Sequence, residues 1–136
     1  MKAVGSYTVA KWQEEAYDQI SPTMKLTKGS VEYVFTGEVS GKAFVEYLMY
    51  YSNADPNDPH KSSAEYIGLI RFHGSLGDRP GSFVLYDRGT FGDGAANSIL
   101  EIAAGSGTGA LQGITGGGTY RADRESYRIE LDYTLP

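Results

Sequence analysis

The chain is predicted to be an all-β protein, an eight-stranded antiparallel meander closed into a barrel. Three observations predict it. Short segments of alternating apolar and polar residues recur along the chain, separated by turn formers, and no stretch carries the 3.6-residue periodicity of a long amphipathic helix. The count comes to about eight strands, an even number that closes naturally and removes the edges an open sheet exposes. Finally, Gly105–Arg121 (GSGTGALQGITGGGTYR) holds seven of the 18 glycines, with Leu111 and Ile114 its only large apolar residues. Such a stretch is expected where the backbone needs unusual angles or two chains approach closely, so it is read as a turn, a strongly bent strand and a second turn at a barrel corner.

The first strand is Gly5–Trp12, where Tyr7 and Val9 alternate with Ser6, Thr8 and Ala10, and Gln13–Ile20 is read as its extended continuation up to the break at Pro22. Met24–Lys28 alternates weakly. Ser30–Glu38 alternates well, with Val31, Tyr33 and Phe35 on one face, and Ser40-Gly41 gives a hairpin signal. Ala43–Tyr51 is apolar on both faces: Val45, Tyr47 and Met49 on one, Phe44, Leu48 and Tyr50 on the other, with Glu46 its only charge. A strand of that kind is covered on both sides, here by the barrel core and, in the absence of a helix, by a partner subunit. Asn53–Ser63 is a loop. Glu65–Leu76 and Ser82–Phe91 pair across a turn at Asp78–Gly81, Gly92–Ala95 turns again, and Asn97–Ala104 leads into the glycine stretch. Tyr127–Leu135 closes the meander with Tyr127, Ile129, Leu131, Tyr133 and Leu135 facing in.

The 136 residues fit one domain spanning 1–136, and the absence of cysteine excludes disulfides, thiolate metal sites and thiol nucleophiles. No apolar run suits a signal peptide or approaches the roughly 20 residues of a membrane span, so a soluble cytoplasmic protein is expected, without membrane contact. A net charge of −5 with both signs dispersed argues against a nucleic-acid partner. Eleven tyrosines supply apolar bulk with a polar tip, suited to strands, interfaces and ligand pockets.

No cofactor is expected. Gly105-Ser106-Gly107-Thr108-Gly109-Ala110 fits the letters of a dinucleotide pattern, but LQGITGGG cannot form the helix that must follow. Asp55, Asn57, Asp58 and His60 resemble metal ligands only loosely, since Pro59 occupies a required position of a calcium loop, and no metal is expected. No serine sits in a nucleophile elbow. The most informative charge is Glu46. Between Phe44, Leu48 and tyrosines it is costly to desolvate unless paired, and the next strand brings Arg71 and His73 alongside. Two roles fit: a Glu46–Arg71 ion pair on the wall or at an interface, or a ligand-facing acid. Tyr33, Tyr50 and Tyr66, with His73, complete the candidate ligand-binding set. Asp87 and Glu101, each amid apolar strand residues, are weaker candidates for that role and are more often simply outward-facing.

The order Phe35-Thr36-Gly37, Glu46-Tyr47-Leu48, Tyr66-Ile67-Gly68, Gly81-Ser82-Phe83-Val84-Leu85 and Ser106-Gly107-Thr108-Gly109, with Leu111, Gly113 and Gly116, resembles a bacterial family of small uncharacterised proteins grouped with the allene oxide cyclase-like β-barrels. The resemblance covers nearly the whole chain. More remotely, the glycine stretch is similar to the glycine-threonine-glycine strand of plant dirigent proteins. The resemblance implies an eight-stranded calycin-like barrel, often trimeric, with a small apolar ligand in its lumen.

Two functions fit. One is a barrel that binds a small hydrophobic molecule, extending to a cofactor-free isomerase or cyclase. The other is a non-catalytic structural or interaction protein with a filled core and a tyrosine-rich interface. Either is expected to form a homo-oligomer, a dimer or trimer. A lumen cavity lined by apolar groups, with at least one buried charge, would favour the first.

Overall fold

The computed structural model describes residues 1–136, the side chain of His60 excepted. Its strands are β1 (Lys2–Gln19), β2 (Lys25–Gly37), β3 (Val39–Asn53), β4 (Ser63–Leu76), β5 (Arg79–Gly92), β6 (Ala95–Ile102), β7 (Thr108–Gly109), β8 (Thr115–Ala122) and β9 (Tyr127–Thr134). All pairings are antiparallel. Eight of the strands form a closed ring in the order β1-β2-β3-β4-β5-β6-β8-β9, with β9 returning to β1; the two-residue β7 adds to β5 alone. No helix among the described residues is long and apolar enough to cross a membrane.

Several expectations about the elements hold, and others need correction. Gln13–Gln19 is extended as read, carrying β1 beyond the ring as one arm of a hairpin with β2. A register shift at Ala10 changes which face of β1 looks inward, so Trp12 pairs with the inward Val31, and Glu14 with Gly29. A bulge re-aims side chains in this way. The hairpin placed at Ser40-Gly41 actually turns at Gly37-Glu38, and Gly41 lies within β3. Gly41 is required there by close approach: it has φ 142°, and a Cβ would strike the His73 carbonyl. The glycine stretch is not a single bent strand between two turns. It runs through β7 and a series of turns before the regular strand β8 begins.

Register sorts the inward residues into layers. At one end Phe35, Phe72 and Phe83 stack edge to face or tilted, with centroids 5.0–5.8 Å apart, and Leu76, Leu111 and Ile114 seal that end completely. The middle layer runs Tyr47, Gly68, Asp87, Leu100, Gly118 and Leu131 around the ring. Above it lie Met49, Tyr66, Gly89, Ser98, Tyr120 and Ile129, and the last layer is Tyr51, Ala64, Phe91, Ala96, Ala122 and Tyr127. Three alanines in that last layer cannot fill the space that phenylalanines fill at the other end. The interior is therefore solid at one end and hollow at the other, a form intermediate between the filled and ligand-holding small rings.

The outer face of β3 to β6 is apolar as well. Phe44, Leu48, Ile67, Leu69, Tyr86 and Ile99 are about half exposed or more.

Candidate functional site

The hollow end encloses a cavity of about 350 Å³, within the range of small-molecule sites. Its walls include Tyr7, Trp12, Met49, Phe91 and Tyr127, and residues Pro59 and Ser62 of the β3–β4 loop reach its mouth. Tyr7 packs against Tyr33, Tyr120 and Tyr127 with ring centroids 5.0–5.8 Å apart, so the wall is a continuous aromatic surface.

The floor is polar. Tyr47 Oη donates to Asp87 Oδ2 at 2.7 Å and lies 3.2 Å from Tyr33 Oη and 3.0 Å from Tyr120 Oη. Tyr120 Oη donates to Tyr66 Oη at 3.0 Å, and Tyr66 Oη meets Ser98 Oγ at 2.6 Å. Two missing side chains make room for these rings. A Cβ on Gly68 would lie 2.5 Å from Tyr47 Cδ1, and one on Gly89 would collide with the Tyr66 hydroxyl.

Asp87 is 2 % exposed, and its Oδ1 has no hydrogen-bond partner among the described residues. Burial raises its carboxyl above the usual carboxylate range, opposed in part by the Tyr47 hydroxyl and, at longer range, by those of Ser98 and Tyr120. Proton bookkeeping points the same way. With the Tyr47 proton on Asp87 and the Tyr120 proton on Tyr66, the Tyr47–Tyr120 contact has no proton of its own. A proton on Asp87 reverses the first bond, so that Asp87 donates to Tyr47, Tyr47 to Tyr120, Tyr120 to Tyr66 and Tyr66 to Ser98, while Tyr33 donates to Tyr47. Every contact then holds one proton. The phenols are held neutral: desolvation pushes Tyr66 up to about 12 and drives Tyr7, Tyr33, Tyr47 and Tyr120 further up. With every phenol proton engaged, the floor offers a ligand acceptor oxygens without itself ionising and donates to it only by giving up one bond of the chain, whose direction Asp87 sets.

Nearer the mouth, Glu14 Oε2 accepts hydrogen bonds from Tyr51 Oη and Thr27 Oγ1, both at 2.6 Å. Burial, then the hydrogen bond to Glu14, raises the Tyr51 phenol. Asp123, also at the mouth, accepts from the N–H groups of Glu125 and Ser126, which lower its carboxyl.

Of the candidate residues read from the sequence, the structure brings Tyr33 and Tyr66 together on the cavity floor. The other four lie elsewhere. Glu46 is exposed on the outer wall, where it accepts the Ser30 hydroxyl at 2.7 and 2.9 Å, so the costly desolvation inferred for it does not occur. It is opposite Leu69 while Arg71 is opposite Phe44, and no Glu46–Arg71 ion pair forms among the described residues. Arg71 and His73 are exposed on the same outer face, and Tyr50 is half-buried on it. Of the two weaker candidates, Glu101 faces out, whereas Asp87 is the buried carboxyl of the interior. Tyr47, Tyr120 and Ser98 were missed. Asp55 Oδ1 accepts the N–H groups of Asn57 and Asp58 and caps a turn; the side chain of His60, grouped with it as a conceivable ligand, lies outside the described residues.

No curated protein matches the chain. A crystal structure of a protein of unknown function from Shewanella oneidensis MR-1, from the DUF3224 family, is similar along its length: 27% identity, TM-score 0.80, covering 100% of this chain and 97% of that one. The family model described as protein of unknown function (DUF3224) matches residues 3–133, and the chain belongs to that family.

Proposed function

We propose that the protein binds a small hydrophobic molecule in the hollow end of the ring, above the tyrosine floor. One observation carries the reading: an aromatic-walled cavity of about 350 Å³ ends on a buried cluster of four phenols and a carboxyl. A filled structural core has no need of that combination, because buried polar groups cost stability unless they are all paired, and Asp87 Oδ1 has no partner among the described residues. The same cluster is the place where a cofactor-free isomerase or cyclase would stabilise developing charge on a ligand oxygen. The reading takes the ring as a barrel of the allene oxide cyclase type, supported by its closed eight-strand meander.

The reading also includes assembly of copies through the outer face of β3 to β6. That face joins Phe44, Leu48, Ile67, Leu69 and Ile99 to charges of both signs, Glu46, Glu101, Arg71 and Arg88, and so can complement a second copy of itself.

Ala96→Phe tests the binding. Ala96 pairs with Ala122 in the wide layer and lines the cavity, so an added ring fills the hollow with no group displaced from the polar floor. The neutral fluorophore phenylnaphthylamine, which brightens in apolar surroundings, is expected to bind the wild type and to bind Ala96→Phe at least about tenfold more weakly at unchanged melting temperature. Equal brightening by both proteins would contradict the cavity as the site.

A further inference from the structure

We propose that the ligand is a lipophilic cation, with an ammonium group held at the neck by Glu14 and an aromatic body lodged among the rings of Tyr7, Trp12 and Tyr127. The proposal rests on the binding reading above and adds the charge and class of the ligand.

Lining chemistry carries it. Among the described lining residues the charged ones are Glu14 and Asp123; both are acidic, and neither Lys nor Arg is present. Asp123 is already engaged by two backbone N–H groups and by Arg121, whose Nε is 3.6 Å away. Glu14 is engaged differently. Both hydrogen bonds it accepts fall on Oε2, from neutral hydroxyls, and it takes part in no ion pair among the described residues. The two hydroxyls fix the carboxylate while its second oxygen, Oε1, remains to meet a ligand charge. The register shift at Ala10 is what brings Trp12 and Glu14 onto the inner face of β1, beside one another in the cavity wall.

Aromatic faces complete the argument, since a ring face attracts a cation held over it. The rim already uses this attraction: Lys25 Nζ lies 4.9 Å from the centroid of the Tyr51 ring, outside the cavity lining. An anionic ligand would instead meet Glu14 with no described cation in the lining to offset it, and a neutral one would leave the charge of Glu14 unanswered at Oε1.

Calorimetric titration of the intact protein with three probes of one shape at neutral pH decides it: naphthylmethylamine, naphthylmethanol and naphthoate. The amine is expected to bind about tenfold or more tightly than the alcohol, with naphthoate weakest. Glu14→Gln keeps the hydrogen-bond acceptor for Tyr51 and Thr27 but removes the charge, and should bring the amine to within about twofold of the alcohol while leaving the alcohol unchanged. Equal or tighter binding of the alcohol or naphthoate, or an amine preference that survives Glu14→Gln, overturns the cation while binding stands. If none of the three binds but phenylnaphthylamine does, the cation class is again overturned. If phenylnaphthylamine fails as well, the binding reading falls, and this proposal with it.

Discussion

Gly68→Val should lower stability by about 3 kcal/mol or more, the upper range for overpacking a tight core. Gly68 faces Tyr47 across the β3–β4 ladder, and even a Cβ would sit 2.5 Å from Tyr47 Cδ1 and 2.7 Å from the Glu46 carbonyl oxygen. The ring cannot retreat without moving its hydroxyl, which bonds Asp87 and touches Tyr33 and Tyr120. Steric strain and loss of the polar cluster therefore arrive together. Gly92→Ala is the matched control: its Cβ would meet nothing within 4 Å and its φ is not in the left-handed region, so its effect should stay within about 1 kcal/mol. Urea denaturation of the pair measures both. A cost for Gly68→Val below about 1 kcal/mol would show that Tyr47 is not held in place as described.

Asp87→Asn should make the protein more stable than the wild type at neutral pH, by about 1–3 kcal/mol, because it removes the cost of keeping an ionisable carboxyl protonated in the folded state while leaving a donor for Tyr47. The pH dependence follows from the direction of the shift. The folded state holds the Asp87 proton more tightly than the unfolded chain does. Below the ordinary carboxyl range both states are protonated and the residue imposes no ionisation cost. As pH rises from that range through the raised folded value, the unfolded chain gives up its proton first and the folded state loses stability. Asparagine has no such step, so the advantage of the variant should be smallest in acid and grow toward neutrality. Thermal unfolding of both proteins between pH 3 and 8 tests this. Parallel curves, or a variant less stable at neutral pH, would mean that Asp87 serves as a well-compensated carboxylate.

Period-two alternation carries most of what the sequence reveals of the fold, because each long strand has one face on the interior. It fails where both faces are apolar. In Ala43–Tyr51 the pattern cannot say whether Tyr47 or Leu48 points inward, and Glu46 then looks like a charge amid core residues. Exposed Phe44 and Leu48 create that impression, since they flank Glu46 on the outer wall. Asp87 was within reach of the same rule. On β5, Phe83, Leu85, Asp87, Gly89 and Phe91 share a face, and the opposite face carries Arg88 and Thr90, which favours solvent. Ranking Asp87 below Glu46, as a charge more often outward-facing, overrode the alternation. The tyrosine cluster was less accessible, because it depends on register among β2, β3, β4 and β8, and on Gly68 and Gly89 yielding space to rings on neighbouring strands. A lone sequence does not encode such partnerships locally. The Ser40-Gly41 hairpin failed for a related reason: the glycine answers to the carbonyl of His73, distant in sequence, rather than to a turn.

The central claim, that the hollow end of the ring holds a small molecule, is tested most directly by native mass spectrometry of the protein purified gently from its own host. The same spectrum counts subunits. The account predicts assemblies of identical chains, each carrying a small added mass that is absent from Ala96→Phe prepared in the same way. Bare chains across repeated preparations, or the same added mass retained by Ala96→Phe, would contradict it.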